Sequence, residues 1–217
     1  MKTAIILGAT GLVGREVVSL LEEDPAVMKV VLLVRRAPDR AVAAKTEVRI
    51  ADFRNPSSYA ANLQADALFS ALGTTLKTAG SQQAQYEVDY TFQYEVAKAA
   101  RAANVPTMAL VSSLGATPSS RLFYSRIKGE LERDVAALGF ERTRIVRPSL
   151  LDGDRAEKRF GEGLSRTLMR GLGVIPGISK YRSIPVRTVA AAMIALVRDP
   201  TPGLKVVDSN ELFALGR

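Results

Sequence analysis

Residues 3–14 read Thr3-Ala4-Ile5-Ile6-Leu7-Gly8-Ala9-Thr10-Gly11-Leu12-Val13-Gly14, and this stretch decides the fold. Thr3–Leu7 is an apolar run of strand length, the kind a strand buried on both faces carries. Three glycines follow at intervals of three. From Leu12 to Glu23 the apolar residues Val13, Val17, Leu20 and Leu21 share one helical face, and Asp24-Pro25 closes the helix. In a strand that turns through glycines straight into a helix, each glycine has a steric reason. Gly8 permits the tight turn, Gly11 lets the backbone approach a pyrophosphate, and Gly14 lets helix and strand pack closely. Bare N–H groups at the helix start favour a diphosphate there. The reading is dinucleotide binding.

The same alternation continues outward. Lys29–Val34, Glu47–Ala51, Ala67–Ala71, Thr107–Ser112 and Arg144–Val146 read as further strands. Ser81–Ala103, Arg121–Leu138 and Val186–Val197 read as helices, with apolar residues three or four apart. Parallel neighbours need crossovers, so the pattern predicts a mostly parallel α/β sheet covered on both faces, in one domain over 1–217. Beyond Ser149 the texture changes: Asp152–Arg170 is charged, and Gly161, Gly163, Gly171, Gly173 and Gly177 interrupt the stretch around it. The C-terminal third is expected to form a small substrate-side appendage on the main sheet, with 150–185 as its substrate-side segment.

Composition removes whole classes of chemistry. The 217 residues include no Cys, His or Trp, which excludes disulfides, Cys/His metal sites and every histidine-based triad; no metal is expected. Acid–base work near neutral pH falls to carboxylates, lysine or tyrosine. The net charge of +8 implies an anionic partner. No uncharged 18-residue stretch and no targeting segment is read, so the expectation is a cytoplasmic chain without a membrane span.

Two further places speak to ligand and chemistry. The second strand ends Val34-Arg35-Arg36, where an NAD site usually carries a carboxylate on the adenosine ribose. Paired guanidiniums instead suit a 2′-phosphate, so NADP(H) is the expected cofactor. Tyr124 and Lys128 stand four apart on one helix face, an arrangement in which an ammonium favours phenolate chemistry. Ser112 and Ser113 end the fifth strand, at the carboxyl edge where open α/β sheets bind ligands. One of these hydroxyls is expected to polarise a substrate carbonyl beside Tyr124.

The constellation resembles the short-chain dehydrogenase/reductase superfamily. More narrowly, it is similar to atypical members with a GxxGxxG turn, the group that includes the Tat-interacting tumour-suppressor oxidoreductases. The resemblance rests on GATGLVG, Leu33-Val34-Arg35-Arg36, Leu72-Gly73-Thr74-Thr75, Ser112-Ser113-Leu114-Gly115-Ala116, Tyr124 with Lys128-Gly129-Glu130, and Arg147-Pro148 with Asp154–Arg159. It implies a Rossmann-like doubly wound sheet of order 3-2-1-4-5-6. Cofactor contacts are implied from Thr10, Gly11, Leu12, Val13, Arg35, Arg36, Leu72, Gly73, Thr74, Tyr124, Lys128 and Leu151, with Asp52 at the adenine amino group. Ser113 fits the catalytic serine better than Ser112. The implied activity is an NADPH-dependent oxidoreductase on a carbonyl or alcohol substrate, with an NADPH-binding regulatory protein as the alternative. Many relatives carry an asparagine on the helix after the fourth strand; this chain has Val88-Asp89-Tyr90 there, which puts the usual proton relay in doubt.

Tyr86, Tyr90 and Tyr94 form a stripe expected to pack in the core or in a homodimer contact through the helices bearing Tyr90 and Tyr124. The basic positions Arg155, Lys158, Arg159, Arg166 and Arg170 alternate with Glu157 and Glu162, a solvated face rather than a nucleic-acid stripe.

Overall fold

The computed structural model describes residues 1–152 and 182–216. The basic positions between Arg155 and Arg170, and most of the 150–185 segment, lie outside the described residues. Strands β1 (Thr3–Leu7), β2 (Lys29–Val34), β3 (Thr46–Ile50), β4 (Ala67–Ser70), β5 (Thr107–Val111) and β6 (Arg142–Arg147) form one parallel sheet in the order 3-2-1-4-5-6. A two-stranded parallel ladder pairs β7 (Leu151–Asp152) with β8 (Ile184–Pro185). The last third of the chain adds to the main body. Helix α6 (Val186–Arg198) packs against α1 (Leu12–Glu23), and β9 (Gly203–Asp208) extends the sheet beside β6 before α7 (Ser209–Leu215).

Alternation along β1 divides the interior in two. Ala4 and Ile6 face the layer built on α1 and α6. Ile5 and Leu7 face the layer of Phe92, Val96, Ala97 and Ala100 from α4 (Phe92–Ala102) and Leu131 and Val135 from α5 (Phe123–Ala137). Each fully buried aliphatic side chain contributes about 1.5–3 kcal/mol, so both faces hold the sheet.

The register sets the site. Leu7 pairs with Leu33 and with Ser70, and Val111 pairs with Val146. The segments that begin at Gly8, Arg35, Ala71 and Ser112 therefore leave the sheet at one edge, its carboxyl edge.

The helix expected over Ser81–Ala103 is present, with a change of pitch inside it. After the short α2 (Leu76–Ala79), α3 (Gln82–Tyr86) leads into a widened i→i+5 turn at Glu87–Thr91 before α4 begins. Such turns recur at functional sites.

Candidate dinucleotide and catalytic site

The glycine turn has the geometry its sequence demands. Gly8 has φ +83°, and a β-carbon on it would lie 2.5 Å from the carbonyl carbon of Ala71 and the amide of Leu72. A β-carbon on Gly14 would lie 2.1 Å from the Gly8 carbonyl oxygen, so α1 sits directly on the turn. The Gly11 amide donates to that same oxygen at 2.9 Å. Gly11 caps α1 without a side chain over its amides, and no acidic residue stands in the first turn. That end of the helix fits a diphosphate, which matches its partial positive charge. Thr10 is exposed and Leu12 half-buried at the turn, but the Val13 side chain is buried in the core beneath α1. Any ligand contact from Val13 must come from its backbone.

Next to this turn, Arg35, Asp52 and Thr74 line one cleft of about 370 Å³, with Phe53, Arg54, Thr78 and Glu87 among the other walls. Arg36 is exposed beside Arg35 and does not line the cleft. Sequence reading missed Arg54 and Glu87. Arg54 donates to both Glu87 oxygens, at 2.9 and 2.8 Å. That fork, with Arg35 further off, holds Glu87 below the usual carboxylate range. No local motif marks this pair, because 33 residues separate its members.

Gly73 joins the cleft to the second part of the site. A β-carbon on it would lie 3.2 Å from Asp89 Oδ1 and 4.0 Å from Lys128 Nζ. Lys128, on α5, is almost wholly buried and lies 3.2 Å from Asp89, on the widened turn. Burial alone pulls a lysine down, yet the adjoining Asp89 carboxylate, helped by Tyr124 and Glu132, outweighs it and holds Lys128 above its ordinary value. Asp89 Oδ2 accepts from the Thr74 amide at 3.0 Å. Its role was not legible: the sequence marks only the absence of asparagine, not the partner that the fold brings in.

Tyr124 opens α5 one turn before Lys128 and is 42% exposed, with the lysine ammonium 5.9 Å from its ring centroid. The loop after β5 is stitched to this helix. The Thr117 amide donates to the Ser125 carbonyl at 3.1 Å, and a β-carbon on Gly129 would lie 2.2 Å from the Thr117 carbonyl carbon. The glycine of Lys128-Gly129 thus lets the serine-bearing loop lie on the helix. Ser113 is half-buried, its hydroxyl reaching the Leu114 carbonyl at 3.5 Å. The Ser112 hydroxyl is buried without a hydrogen-bond partner among the described residues. Leu72 is half-buried in the β4 loop, and Leu151 is half-buried on β7 beside Ile184.

The tyrosine stripe packs within the chain. Tyr86, Tyr90 and Tyr94 stack with centroids 4.8 and 5.8 Å apart, and the Tyr90 hydroxyl donates to Asp134 on α5 at 2.7 Å. Among the described residues no helix is long and apolar enough to cross a membrane, and no cluster of acidic side chains suits a metal.

Comparison with known proteins agrees with this geometry. A family model described as NAD(P)H-binding matches residues 8–200. "Protein fmp52, mitochondrial" of Aspergillus fumigatus is 37% identical over 228 residues, covering 100% of this chain and 95% of the relative. A short-chain dehydrogenase family protein from Francisella tularensis superposes with TM-score 0.71 at 15% identity, over 99% of each chain. Uronate dehydrogenase from Agrobacterium tumefaciens superposes with TM-score 0.70 at 17% identity, covering 100% of this chain and 83% of that one. The cytoplasmic expectation is overturned: the relatives carry a mitochondrial designation in their names. It had rested on finding no apolar span and no leader, and neither absence fixes a compartment. The chain belongs to the NAD(P)H-binding family, with the fold of short-chain dehydrogenases.

Proposed function

We propose that this chain is an NADPH-dependent oxidoreductase that interconverts a carbonyl and an alcohol on a small-molecule substrate. The observation that carries the reading is the shared cleft of Arg35 and Asp52, set on the same sheet edge as the glycine turn and the Asp89–Lys128 pair. In this reading the amides opening α1 hold the diphosphate. Arg35 and Arg36 take the 2′-phosphate through charge-assisted bonds, and Asp52 faces the adenine amino group. The nicotinamide ring supplies or accepts the hydride, chemistry that belongs to the coenzyme.

The protein's own share is proton transfer and orientation. Tyr124 gives or takes the proton at the substrate oxygen, and its exposure leaves that oxygen room to approach. Ser113, the more accessible of the two serines, orients the same oxygen. Lys128 places a fixed positive charge beside Tyr124 and reaches the nicotinamide ribose. The names of the relatives support a mitochondrial setting.

A second reading, an NADPH-binding regulatory protein with little turnover, is favoured by one observation. The Tyr124 hydroxyl makes no hydrogen bond among the described residues, so none of these holds it in a reactive pose. Tyr124→Phe separates the two. With a panel of aldehydes, ketones and alcohols, the oxidoreductase reading expects the variant to keep NADPH binding and lose turnover by at least about 100-fold. No turnover by the unaltered protein on any member, with NADPH binding intact, would favour the regulatory reading.

A further inference from the structure

Lys128 and Asp89 are a buried ion pair held by parts of the chain 39 residues apart. Each end of Asp89 is separately fixed. Its Oδ2 accepts from the Thr74 amide at 3.0 Å, and its backbone carbonyl accepts from Gln93 Nε2 at 2.7 Å. Gln93 Oε1 accepts in turn from the Ser70 hydroxyl at the end of β4, also at 2.7 Å. Ser70 and Gln93 are wholly buried, so this polar chain is closed to solvent. Oδ1 is the exception. It is buried, has no geometrically regular hydrogen bond among the described residues, and has the Lys128 ammonium 3.2 Å away. The attraction at that oxygen is therefore one of charge more than of hydrogen bonding.

The other groups facing Lys128 are on its own helix. They are Tyr124 and Glu132, and Glu132 is engaged by Arg147, whose Nε lies 3.0 Å from Oε1 and whose Nη2 lies 2.5 Å from Oε2. Among the described residues, Asp89 is the counter-charge that arrives from another element. A buried ammonium stripped of its counter-charge either loses its proton or leaves the site.

We propose that Asp89 is the positioning residue that fixes the Lys128 ammonium beneath the Gly73–Thr74 loop, and that its carboxylate cannot be replaced by the corresponding amide. The proposal rests on the reading of Lys128 as a coenzyme and proton-transfer residue only for its consequence, not for the pairing itself. Asp89→Asn is the discriminating change. It keeps an acceptor for the Thr74 amide and removes only the charge, so a purely structural role of the loop contact would leave the lysine unmoved.

The test is a pH titration of the full chain, free of coenzyme, with isotope-labelled lysine followed by NMR and Lys128→Met used to assign the signal. The expected result is a midpoint for Lys128 in Asp89→Asn lower than in the unaltered protein by more than about one pH unit. An unchanged midpoint overturns the proposal. NADPH titrations at pH 7 and pH 9 read the consequence: affinity steady in the unaltered protein, and about tenfold weaker at pH 9 in the variant. If Asp89→Asn melts at too low a temperature to titrate, Asp89→Asn with Lys128→Met is compared with it. Recovery of the melting temperature supports the charge pairing, and no recovery overturns it. A shifted midpoint in a protein that binds no NADPH would sustain the pairing and defeat the coenzyme reading. An unshifted midpoint with NADPH binding intact would do the reverse.

Discussion

The carbonyl oxygen of Gly8 lies so close under Gly14 that a β-carbon at position 14 would stand 2.1 Å from it. Backbone on both sides leaves nothing to yield, so the strand, the turn and α1 are one rigid unit. Gly14→Ala is expected to cost at least about 2 kcal/mol in urea denaturation and to weaken coenzyme binding by displacing the first amides of α1. A variant with unaltered stability would show that α1 is free to shift away from the turn.

Arg144 is a buried cation with no carboxylate in hydrogen-bond reach among the described residues. Its guanidinium donates to the carbonyls of Leu196 at 3.0 Å, Gly203 at 2.8 Å and Asp199 at 3.2 Å, and also to that of Thr201. Burial holds it below the ordinary arginine value. These bonds tie β6 to the segment that joins α6 to β9. Arg144→Ala strands the buried Leu196 carbonyl, at about 1–3 kcal/mol, and takes the shared donor from the part-buried carbonyls of Asp199, Thr201 and Gly203. Hydrogen exchange is expected to quicken in β9 and α7 before the rest of the sheet. Arg144→Lys is expected to fall short of rescue, because an ammonium lacks the planar fork.

Glu47 carries the clearest acid signature. Hydrogen bonds from Arg49 and Lys29 lower its carboxyl from 4.5 to about 2. A depressed folded-state value means stability that is present above pH 4.5 and lost as pH falls toward 2. Lys29 and Glu47 are exposed and Arg49 is only half-buried, so solvent screening leaves a contribution of at most about 1 kcal/mol. Comparing Glu47→Gln with the unaltered protein, melting temperatures are expected to converge as pH falls through about 2 and to differ above pH 5.

Much of this was legible because the buried strands leave an unbroken apolar record. Thr3–Leu7, Leu12–Glu23 and Lys29–Val34 have the bounds that the apolar runs and the glycines set. The sheet order came through resemblance, since nothing in local pattern says which strands neighbour. The strand at Gly203–Asp208 left a weaker record, because it sits at the sheet edge with Leu204 and Val206 exposed. The widened turn at Glu87–Thr91 changes the hydrogen-bond ladder without breaking helical periodicity, so a single helix was the natural reading of Ser81–Ala103. Asp89 and Lys128, like Arg54 and Glu87, are joined by topology alone.

The site also makes a prediction at Gly129, where Thr117 lies 2.2 Å from the place of an absent β-carbon. Gly129→Ala is expected to push the loop carrying Ser112 and Ser113 off α5. Turnover would then fall while NADPH affinity changes less than about threefold, because the loops proposed to hold the diphosphate and the 2′-phosphate are others.

A cradle for a phosphorylated nicotinamide coenzyme distinguishes NADPH from NADH, and calorimetric titration of each against the same protein reads that difference. Charge-assisted bonds from Arg35 and Arg36 to the 2′-phosphate are each worth about 1.5–3 kcal/mol, so NADPH is expected to bind at least about tenfold tighter than NADH. Arg35→Ala with Arg36→Ala should erase that margin while leaving NADH affinity near its starting value. Tighter binding of NADH, or binding of neither coenzyme, would contradict the account.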